Sequence, residues 1–214
     1  PFSNKSLESV FREIFSATLA LEKPLRIGFL GPKTTFSHQA AIKQFGHSSE
    51  FIPNPDIESV FRQVEQENCD YGVIPVENSI EGVINLTLDC FVDSPLLICG
   101  EIKNTISLYL LSKTKNGKKI KTIYSHPQPL GQCRQWLNRN LPSVEQISAS
   151  STASAAEMVV KKRTCAAIAG KLAAEAYNLN IVAENIQDRA ENYTRFLVIG
   201  KDKTKKALQN KTSI

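Results

Sequence analysis

The apolar residues near the start of the chain recur at the spacing of an amphipathic helix. Those that share one helical face between residues 7 and 22 include Leu7, Val10, Phe11, Ile14, Phe15 and Leu19. Ser6 is suited to be the N-cap of this helix, and Pro24 ends it because the residue before a proline avoids the α region. The pattern therefore predicts an N-terminal helix, after which the spacing of the apolar residues changes.

Downstream of Pro24, short β-prone runs alternate with segments of helical spacing. In the first half the predicted strands are RIGFLG, FIPN, YGVIPV, LLICGEI and ISLYLLS, and the predicted helices are TFSHQAAIKQFG, DIESVFRQVEQEN (capped by Asp56) and GVINLTLDCFVD. In the second half the predicted strands are IKTIYSH, VEQISAS, CAAIAG, NIVAENI and RFLVIG, and the predicted helices are Pro127–Asn140, Thr152–Lys161 and KLAAEAYN. This alternation is typical of an α/β protein with mainly parallel sheets.

About ten strands are more than one small open sheet holds comfortably, so we expect two α/β lobes. The segment GEIKNTISLYLLS is the predicted crossing from the first lobe to the second. The segment ENYTRFLVIG is the predicted return crossing, with a strand that rejoins the first sheet. Thr194 and Arg195 would then lie at the hinge and face the cleft between the lobes, where ligands are usually enclosed.

The composition is that of an ordinary globular protein, with 214 residues, 42% hydrophobic and 22% charged. No run of about 18 apolar residues is present, so we expect no membrane span, and the charged start of the chain does not resemble a signal peptide. Five scattered cysteines without CxxC spacing argue against a disulfide framework and a zinc site. We therefore expect a cytoplasmic protein.

The net charge of +5 comes largely from two basic runs, KTKNGKK and KDKTKKALQNK. Such runs can bind nucleic acid, but neither contains the interleaved aromatic residues that stack on bases. We interpret them as a solvated loop and a solvated tail, and expect no nucleic-acid partner.

Polar side chains follow several predicted strands, where ligands collect in open α/β sheets. Thr35 and Ser37 lie at a helix start after a Gly-Pro turn, a position suited to an anion or simply to helix capping. The strand YGVIPV is followed by Glu77, Asn78 and Ser79. Their carboxylate, amide and hydroxyl groups either belong to a functional site or form an ordinary polar loop before the next helix. Both interpretations stay open for each segment when it is considered alone.

The second half adds a similar set. Gln132 lies in the helix that follows Ser125 and His126, and Ser151 and Thr152 begin another helix. Arg195 supplies a fixed cation that can bind a carboxylate through two parallel hydrogen bonds. No Ser-His-Asp order, HExxH, GxGxxG or metal-ligand spacing is present. Together these residues predict a small, polar, carboxylated ligand in an interlobe cleft.

Five of these segments in this order, GFLGPKTTFSHQAA, YGVIPVENSIEGVIN, YSHPQPLGQC, SSTASAA and NYTRFLVIG, resemble the prephenate dehydratase family. The resemblance covers about Arg26 to Gly200. It implies two α/β lobes of the periplasmic-binding-protein type (type II), with the active site in the cleft between them and the N-terminal helix outside. It also implies conversion of prephenate to phenylpyruvate, water and carbon dioxide in phenylalanine synthesis, without a metal or an organic cofactor.

Matched residue by residue, the resemblance assigns the family's essential threonine to Thr194, beside Arg195 and Phe196. The Glu-Asn pair falls on Glu77 and Asn78, next to Ser79, and the glutamine before cysteine falls on Gln132. The hydroxyl groups at the two helix starts fall on Thr35, Ser37, Ser151 and Thr152. We expect Thr194 and Glu77 to be catalytic and the others to bind substrate. Thr34 stands where the family usually has glycine, which would strain the turn if φ is positive there.

The resemblance also suggests a division of the chain. Residues 1–24 resemble the last helix of an AroQ-type chorismate mutase, as in bifunctional enzymes, and residues 25–200 form the dehydratase domain. Within it we expect lobe one at about 25–103 and 190–200, and lobe two at about 104–189. Residues 201–214 would be a basic linker to an ACT domain, which feedback by L-phenylalanine would require. Members of the family commonly form homodimers.

Three alternatives remain open. A threonine hydroxyl is a very weak acid. Either a hydrogen bond from Thr194 suffices, because aromatisation drives the step and the enzyme mainly orients the substrate, or Glu77, with a pKa raised by burial, is the acid and Thr194 is its relay. The substrate is prephenate or, as an alternative, arogenate. A two-lobed scaffold can also close on a carboxylate without catalysis, as a solute-binding or sensor module.

Overall fold

The computed structural model describes residues 3–202, apart from the side chain of Lys5; the end of the predicted basic linker, residues 203–214, lies outside them. The helices and strands of the first part are α1 (Asn4–Glu22), β1 (Arg26–Leu30), α2 (Phe36–Phe45), β2 (Glu50–Asn54), α3 (Ile57–Glu65), β3 (Tyr71–Asn78), β4 (Gly82–Val83), α4 (Asn85–Asp93) and β5 (Leu97–Thr105). They are followed by β6 (Tyr109–Ser112), a 3₁₀ turn (Gly117–Lys119), β7 (Thr122–Ser125), α5 (Pro127–Gln132), α6 (Arg134–Asn140), β8 (Glu145–Ser148), α7 (Thr152–Val159), β9 (Cys165–Ala169), α8 (Lys171–Ala176), β10 (Asn180–Ala183) and β11 (Tyr193–Gly200).

Two sheets form two α/β lobes, which confirms the predicted fold class. The first sheet has the order β2-β1-β3-β11-β5, with β4 paired to β3, and the second has the order β10-β6-β9-β7-β8. The crossings are also where the sequence predicted them, because β5 leads into β6 and β11 returns to the first sheet between β3 and β5. Apolar side chains fill each lobe; fully buried examples are Phe29, Ile74 and Phe196 in the first and Leu110, Ile123 and Ile168 in the second.

The expectation of mainly parallel sheets is wrong, because both sheets are mixed. Strand β11 runs antiparallel to both β3 and β5, and β6 runs antiparallel to both β9 and β10. Each is the first strand that the chain forms after crossing the hinge. A strand that enters a sheet from the cleft side must run away from the cleft, whereas β1, β3 and β7 end there.

Two local predictions are also wrong. The N-cap of α1 is Ser3 and not Ser6, since the Ser3 hydroxyl accepts a hydrogen bond of 3.2 Å from the backbone N–H of Ser6. The single helix predicted over 127–140 is divided at Cys133 into α5 and α6. The carboxylate of Asp188 caps α6 by accepting from the N–H groups of Gln135 and Trp136, at 2.9 and 3.0 Å. Asp188 is far from α6 in the sequence, so no local pattern predicts this cap. The predicted cap of α3 by Asp56 is confirmed.

Helix α1 contacts the first lobe through its polar side. Arg12 donates to the carbonyl oxygen of Lys43 at 2.7 Å, and Glu13 bonds to His47 at 2.9 Å. Its apolar face is turned outward, and Phe15 is 63% exposed. Within residues 3–202, no helix combines the length and the apolar character that crossing a bilayer requires.

The turn after β1 stores backbone strain at Thr34. This residue has a φ of 71°, in the left-handed region that disfavours β-branched side chains. Its hydroxyl is buried and has no hydrogen-bond partner among the described residues. The sequence predicted strain at Thr34 if φ is positive there, and the structure has this positive φ.

His38 supports the same turn from α2. The backbone N–H of Thr34 donates to Nδ1 of His38 at 3.1 Å. The imidazole stacks on Phe29 with ring centroids 4.7 Å apart and meets the edge of Phe51 at 5.2 Å. Burial, assisted by the nearby charge of Lys33, lowers the pKa of His38 to about 4. The ring is therefore neutral near pH 7, as an acceptor at Nδ1 requires.

We expect Thr34→Gly to raise the free energy of unfolding by about 1 kcal/mol. The variant relieves the backbone strain and removes an unpaired buried hydroxyl. These gains outweigh the lost packing of the methyl group and the greater conformational entropy that glycine gives the unfolded chain. Urea denaturation measures the change. Thr34→Val is the matched control: it removes the hydroxyl but keeps the strained backbone, so it should gain less. A glycine variant no more stable than the valine variant would contradict the strain argument.

His38 makes the stability depend on pH. Its pKa of about 4 in the folded chain lies below the ordinary value of 6.5, so the unfolded chain binds more protons between these values. We therefore expect stability to fall as the pH is lowered through this window, by up to about 3 kcal/mol. Denaturation of the parent and of His38→Gln at several pH values tests this, since the variant should lose most of the slope above about pH 5, where carboxylates contribute little. Equal slopes would count against His38 as the source.

Candidate active site

A cavity of about 380 Å³ lies between the two lobes, at the carboxyl ends of β1, β3 and β7 and at the start of β11. Its polar lining side chains are Thr35, Ser37, Asn78, His126, Gln128, Gln132, Ser150, Ser151, Thr152 and Thr194. Seven of the eleven residues that the sequence singled out thus meet in one place. A second groove, of about 440 Å³ beside α1, is lined mainly by apolar side chains such as Phe11 and Phe15 and offers no comparable chemistry.

Among the residues that line the cavity, none is Asp, Glu, Lys or Arg. Positive potential comes instead from two helix starts on opposite lobes, α2 with Thr35 as its N-cap and α7 with Ser151 as its N-cap. The first turn of a helix has unpaired N–H groups and the positive end of the helix dipole, which together favour an anion. The cavity can therefore hold a molecule with two separated carboxylates.

The four predicted hydroxyl groups at these helix starts divide into two pairs. Thr35 and Ser151 are occupied as caps: Thr35 accepts from the N–H of His38 at 3.4 Å and Ser151 accepts from the N–H of Ser154 at 2.9 Å. Ser37 and Thr152 line the cavity, and their hydroxyl groups bond to no group within the described part of the chain. Ser37 and Thr152 are thus the hydroxyls available to a ligand.

Thr194 and Asn78 face the cavity side by side. They are opposite one another in the antiparallel pairing of β11 with β3, and Nδ2 of Asn78 donates to Oγ1 of Thr194 at 2.9 Å. Oδ1 of Asn78 accepts from the N–H groups of Ile80 and Glu81, which fixes the orientation of the amide. Because Oγ1 is already an acceptor, and no group among residues 3–202 accepts its proton, Thr194 can donate into the cavity.

Glu77 and Arg195 lie on the other face of the sheet, outside the lining of the cavity, because successive side chains of a strand alternate between faces. Arg195 bonds through Nη1 to Glu77 on β3 and through Nε to Glu101 on β5, the latter at 2.9 Å. These hydrogen bonds, first to Glu77 and then to Glu101, raise the pKa of Arg195. The guanidinium therefore joins three adjacent strands.

Phe196 and Ser79 also lie outside the cavity lining. Phe196 is buried in the first lobe with Phe29 and Val73. The Ser79 hydroxyl accepts from the N–H of Tyr193 at 3.0 Å, and the N–H of Ser79 donates to the carbonyl oxygen of Tyr193 at 2.9 Å. Ser79 thus holds the hinge segment in place.

Sequence reasoning missed Asn192 as a site residue. Its side chain is buried and bonds to both Gln132 and Asn78. The sequence signal that could have identified Asn192 is its position, a polar residue directly before the strand of the predicted return crossing. Within residues 3–202, no cluster of three or more His, Cys, Asp or Glu side chains could hold a metal ion.

We expect the ion pair of Arg195 with Glu101 to contribute modestly to stability, with a coupling energy of about 0.5–1 kcal/mol in a cycle of Arg195→Gln, Glu101→Gln and the double variant. The side chain of Arg195 is 38% exposed, so solvent screens the interaction. Denaturant unfolding of the four proteins measures the coupling. The surface pair Lys201–Glu67 is the control and should couple less, because Glu67 is 76% exposed. Absence of coupling at Arg195 would show that it does not join these strands energetically.

Comparison with known proteins agrees with this geometry. A family model described as prephenate dehydratase matches residues 27–204. A bifunctional chorismate mutase/prephenate dehydratase from Aquifex aeolicus is 48% identical over 213 residues, which is all of this chain and 59% of that protein. A prephenate dehydratase from Lactococcus lactis is 40% identical over 182 residues, covering 84% of this chain and 64% of that protein.

Solved structures show the same relationship. The prephenate dehydratase of Arthrobacter aurescens in complex with L-Phe superposes with a TM-score of 0.77 and 30% identity, covering 88% of this chain and 63% of that one. The enzyme from Staphylococcus aureus gives a TM-score of 0.70 and 29% identity, over 83% and 68% of the two chains. The chain spans about three fifths of the length of the bifunctional relatives that are 45–48% identical to it. It belongs to the prephenate dehydratase family.

Proposed function

We propose that this chain catalyses the decarboxylating dehydration of prephenate to phenylpyruvate, water and carbon dioxide. The observation that carries the proposal is the donor hydroxyl of Thr194, which faces the same interlobe cavity as two helix starts. In the reaction the C–C bond to the ring carboxylate breaks, its electrons complete the aromatic ring, and the C4–O bond releases hydroxide, which takes up a proton. A carboxylate site and a proton donor on one cavity match these needs.

The helix starts of α2 and α7 bind the two carboxylates in this proposal, with the free hydroxyls of Ser37 and Thr152 adding donors. Because the two helices belong to different lobes, substrate would bridge the cleft and hold it closed. Both ends of the dianion are then fixed, so that the C4 hydroxyl is presented to Thr194. In this arrangement Arg195 supports the sheet and does not touch the substrate.

Thr194 is a reasonable proton donor for this particular leaving group. Hydroxide is the conjugate base of water, itself a very weak acid, so even an alcohol is an adequate acid once the C–O bond has stretched. The amide of Asn78 donates to Oγ1 and stabilises negative charge that develops there. Glu77, the other candidate acid, lies on the opposite face and is already paired with Arg195, so we favour Thr194.

We expect Thr194→Ala to lower kcat by about 100- to 10,000-fold, because it removes the donor at the leaving hydroxyl. Thr194→Ser, which keeps the hydroxyl, should retain most of the activity, and the isosteric Thr194→Val should behave like the alanine variant. The measurement is phenylpyruvate formation from prephenate, read from its absorbance in alkali, with arogenate as a parallel substrate.

Glu77→Gln separates the two candidate acids. If Thr194 is the donor, this variant should keep kcat within about tenfold. A loss as large as that of Thr194→Ala, together with an active Thr194→Val, would identify Glu77 instead. A folded parent that binds prephenate and forms no phenylpyruvate would favour a binding module over an enzyme.

The homodimer, the cytoplasmic location and the chorismate mutase origin of residues 1–24 stay predictions from the resemblance. Feedback by L-phenylalanine, through an ACT domain, is likewise a property proposed for a longer protein. Light scattering of the purified chain measures the oligomeric state.

A further inference from the structure

Asn192 occupies an unusual position between the two lobes. Its side chain is only 1% exposed, and it lies in the hinge just before β11. Nδ2 donates to Oε1 of Gln132 at 2.9 Å, in the second lobe, and Oδ1 accepts a longer hydrogen bond, of 3.5 Å, from Nδ2 of Asn78 in the first. The carbonyl oxygen of Asn192 accepts from the N–H of Ile106 at 2.8 Å, which ties together the two hinge crossings. Asn192 therefore connects both lobes through its side-chain carboxamide and both crossings through its backbone carbonyl.

These bonds fix the direction of the Gln132 amide. Since Asn192 occupies Oε1 as a donor, the Nε2 group of Gln132 must point the other way, and Gln132 lines the cavity. Nε2 bonds to no group within residues 3–202, so its N–H groups are available to a ligand. On the first lobe, Asn78 is oriented by the N–H groups of Ile80 and Glu81 and donates to Thr194. Both sides of the cavity thus present hydrogen-bond donors.

We propose that Asn192 is a positioning residue for the dehydration, holding the Gln132 amide with its N–H groups toward the departing hydroxyl of the substrate. The inference rests on the proposed function and deepens it. Gln132 and Thr194 then act on the leaving oxygen together, one as a fixed N–H donor and the other as the proton source. Without Asn192 the Gln132 amide is free to rotate and to present its carbonyl oxygen, whose lone pairs repel the leaving oxygen.

The sharpest test is Asn192→Asp, which preserves shape but exchanges the amide N–H donors for acceptors. As a carboxylate the new side chain attracts Nε2 of Gln132, which reverses the amide. We expect kcat to fall by about 100-fold at pH 8 or so, with a smaller change in KM. Protonation of the carboxyl at lower pH restores an O–H donor to Oε1 of Gln132. The ratio of variant to parent activity should therefore rise by about tenfold or more as the pH is lowered toward about 5.

Two controls isolate the amide direction. Asn192→Ala removes both hydrogen bonds without adding a charge, so its activity relative to the parent should be lowered but independent of pH. Asn68→Asp makes the same chemical change at an exposed position and should match the parent. The titratable and charged groups around Asn192 and Gln132 are Glu81, His126, Asp188, Arg189 and Glu191, with Glu77 and Arg195 on the far face of the sheet. They are the same in parent and variants, so their titration cancels in the ratio.

An Asn192→Asp variant as active as the parent at about pH 8 would overturn the inference. So would a reduced activity whose ratio to the parent does not change with pH, since that is what a purely structural role predicts. If the parent forms no phenylpyruvate, the proposed function is contradicted and not the orientation of the Gln132 amide. That orientation is then tested separately by NMR. The Gln132 side-chain amide signals, assigned by their loss in Gln132→Leu, should shift in Asn192→Asp and return as the carboxyl is protonated; unchanged signals would refute the positioning.

Discussion

The antiparallel pairing of β3 with β11 decides which side chains meet the interlobe cavity. Thr194 lies opposite Asn78 and Arg195 lies opposite Glu77. This register places the hydroxyl and the amide on the sheet face at the cavity and the ion pair on the opposite face. A slip of one residue would exchange the two sets, because side chains alternate along a strand. Arg195 opposes such a slip through its bonds to both neighbouring strands, and the pairing becomes irregular only beyond it, between Arg195 and Phe196.

The direction of the crossing strands gives the site its second constraint. Strands β1, β3 and β7 end at the cleft and bring helix starts and polar loops to it. Strand β11 runs the opposite way and begins there, so Thr194 reaches the cavity from the amino end of its strand. The hinge then consists of backbone that is hydrogen-bonded on both sides, through Ile106 and Ser79. A change of interlobe angle would therefore alter the surroundings of Asn192 and Thr194 first.

Sequence patterns predicted the alternation of strands and helices, both crossings and the α/β lobes, because these depend on local periodicity. They failed where a distant contact decides: Asp188 caps α6, and the crossing strands make both sheets mixed. At the site, motif reasoning grouped Thr194 with Arg195 and Glu77 with Asn78 as neighbours in sequence. Strand geometry separates each pair onto two faces, and that separation is visible only once the segment is known to be a strand at the cleft.

A cavity lined by dipoles instead of permanent cations suits the proposed reaction. One carboxylate of prephenate leaves as neutral carbon dioxide, so an ion pair to it would stabilise the substrate more than the transition state and slow the reaction. Helix starts offer roughly half a charge each and bind the dianion without this cost. The stronger donors are needed where negative charge grows, at the departing hydroxyl. In the structure that is the region of Thr194, Asn78 and Gln132. The carboxamide of Asn192 orients Gln132, and the N–H groups of Ile80 and Glu81 orient Asn78, which donates to Thr194.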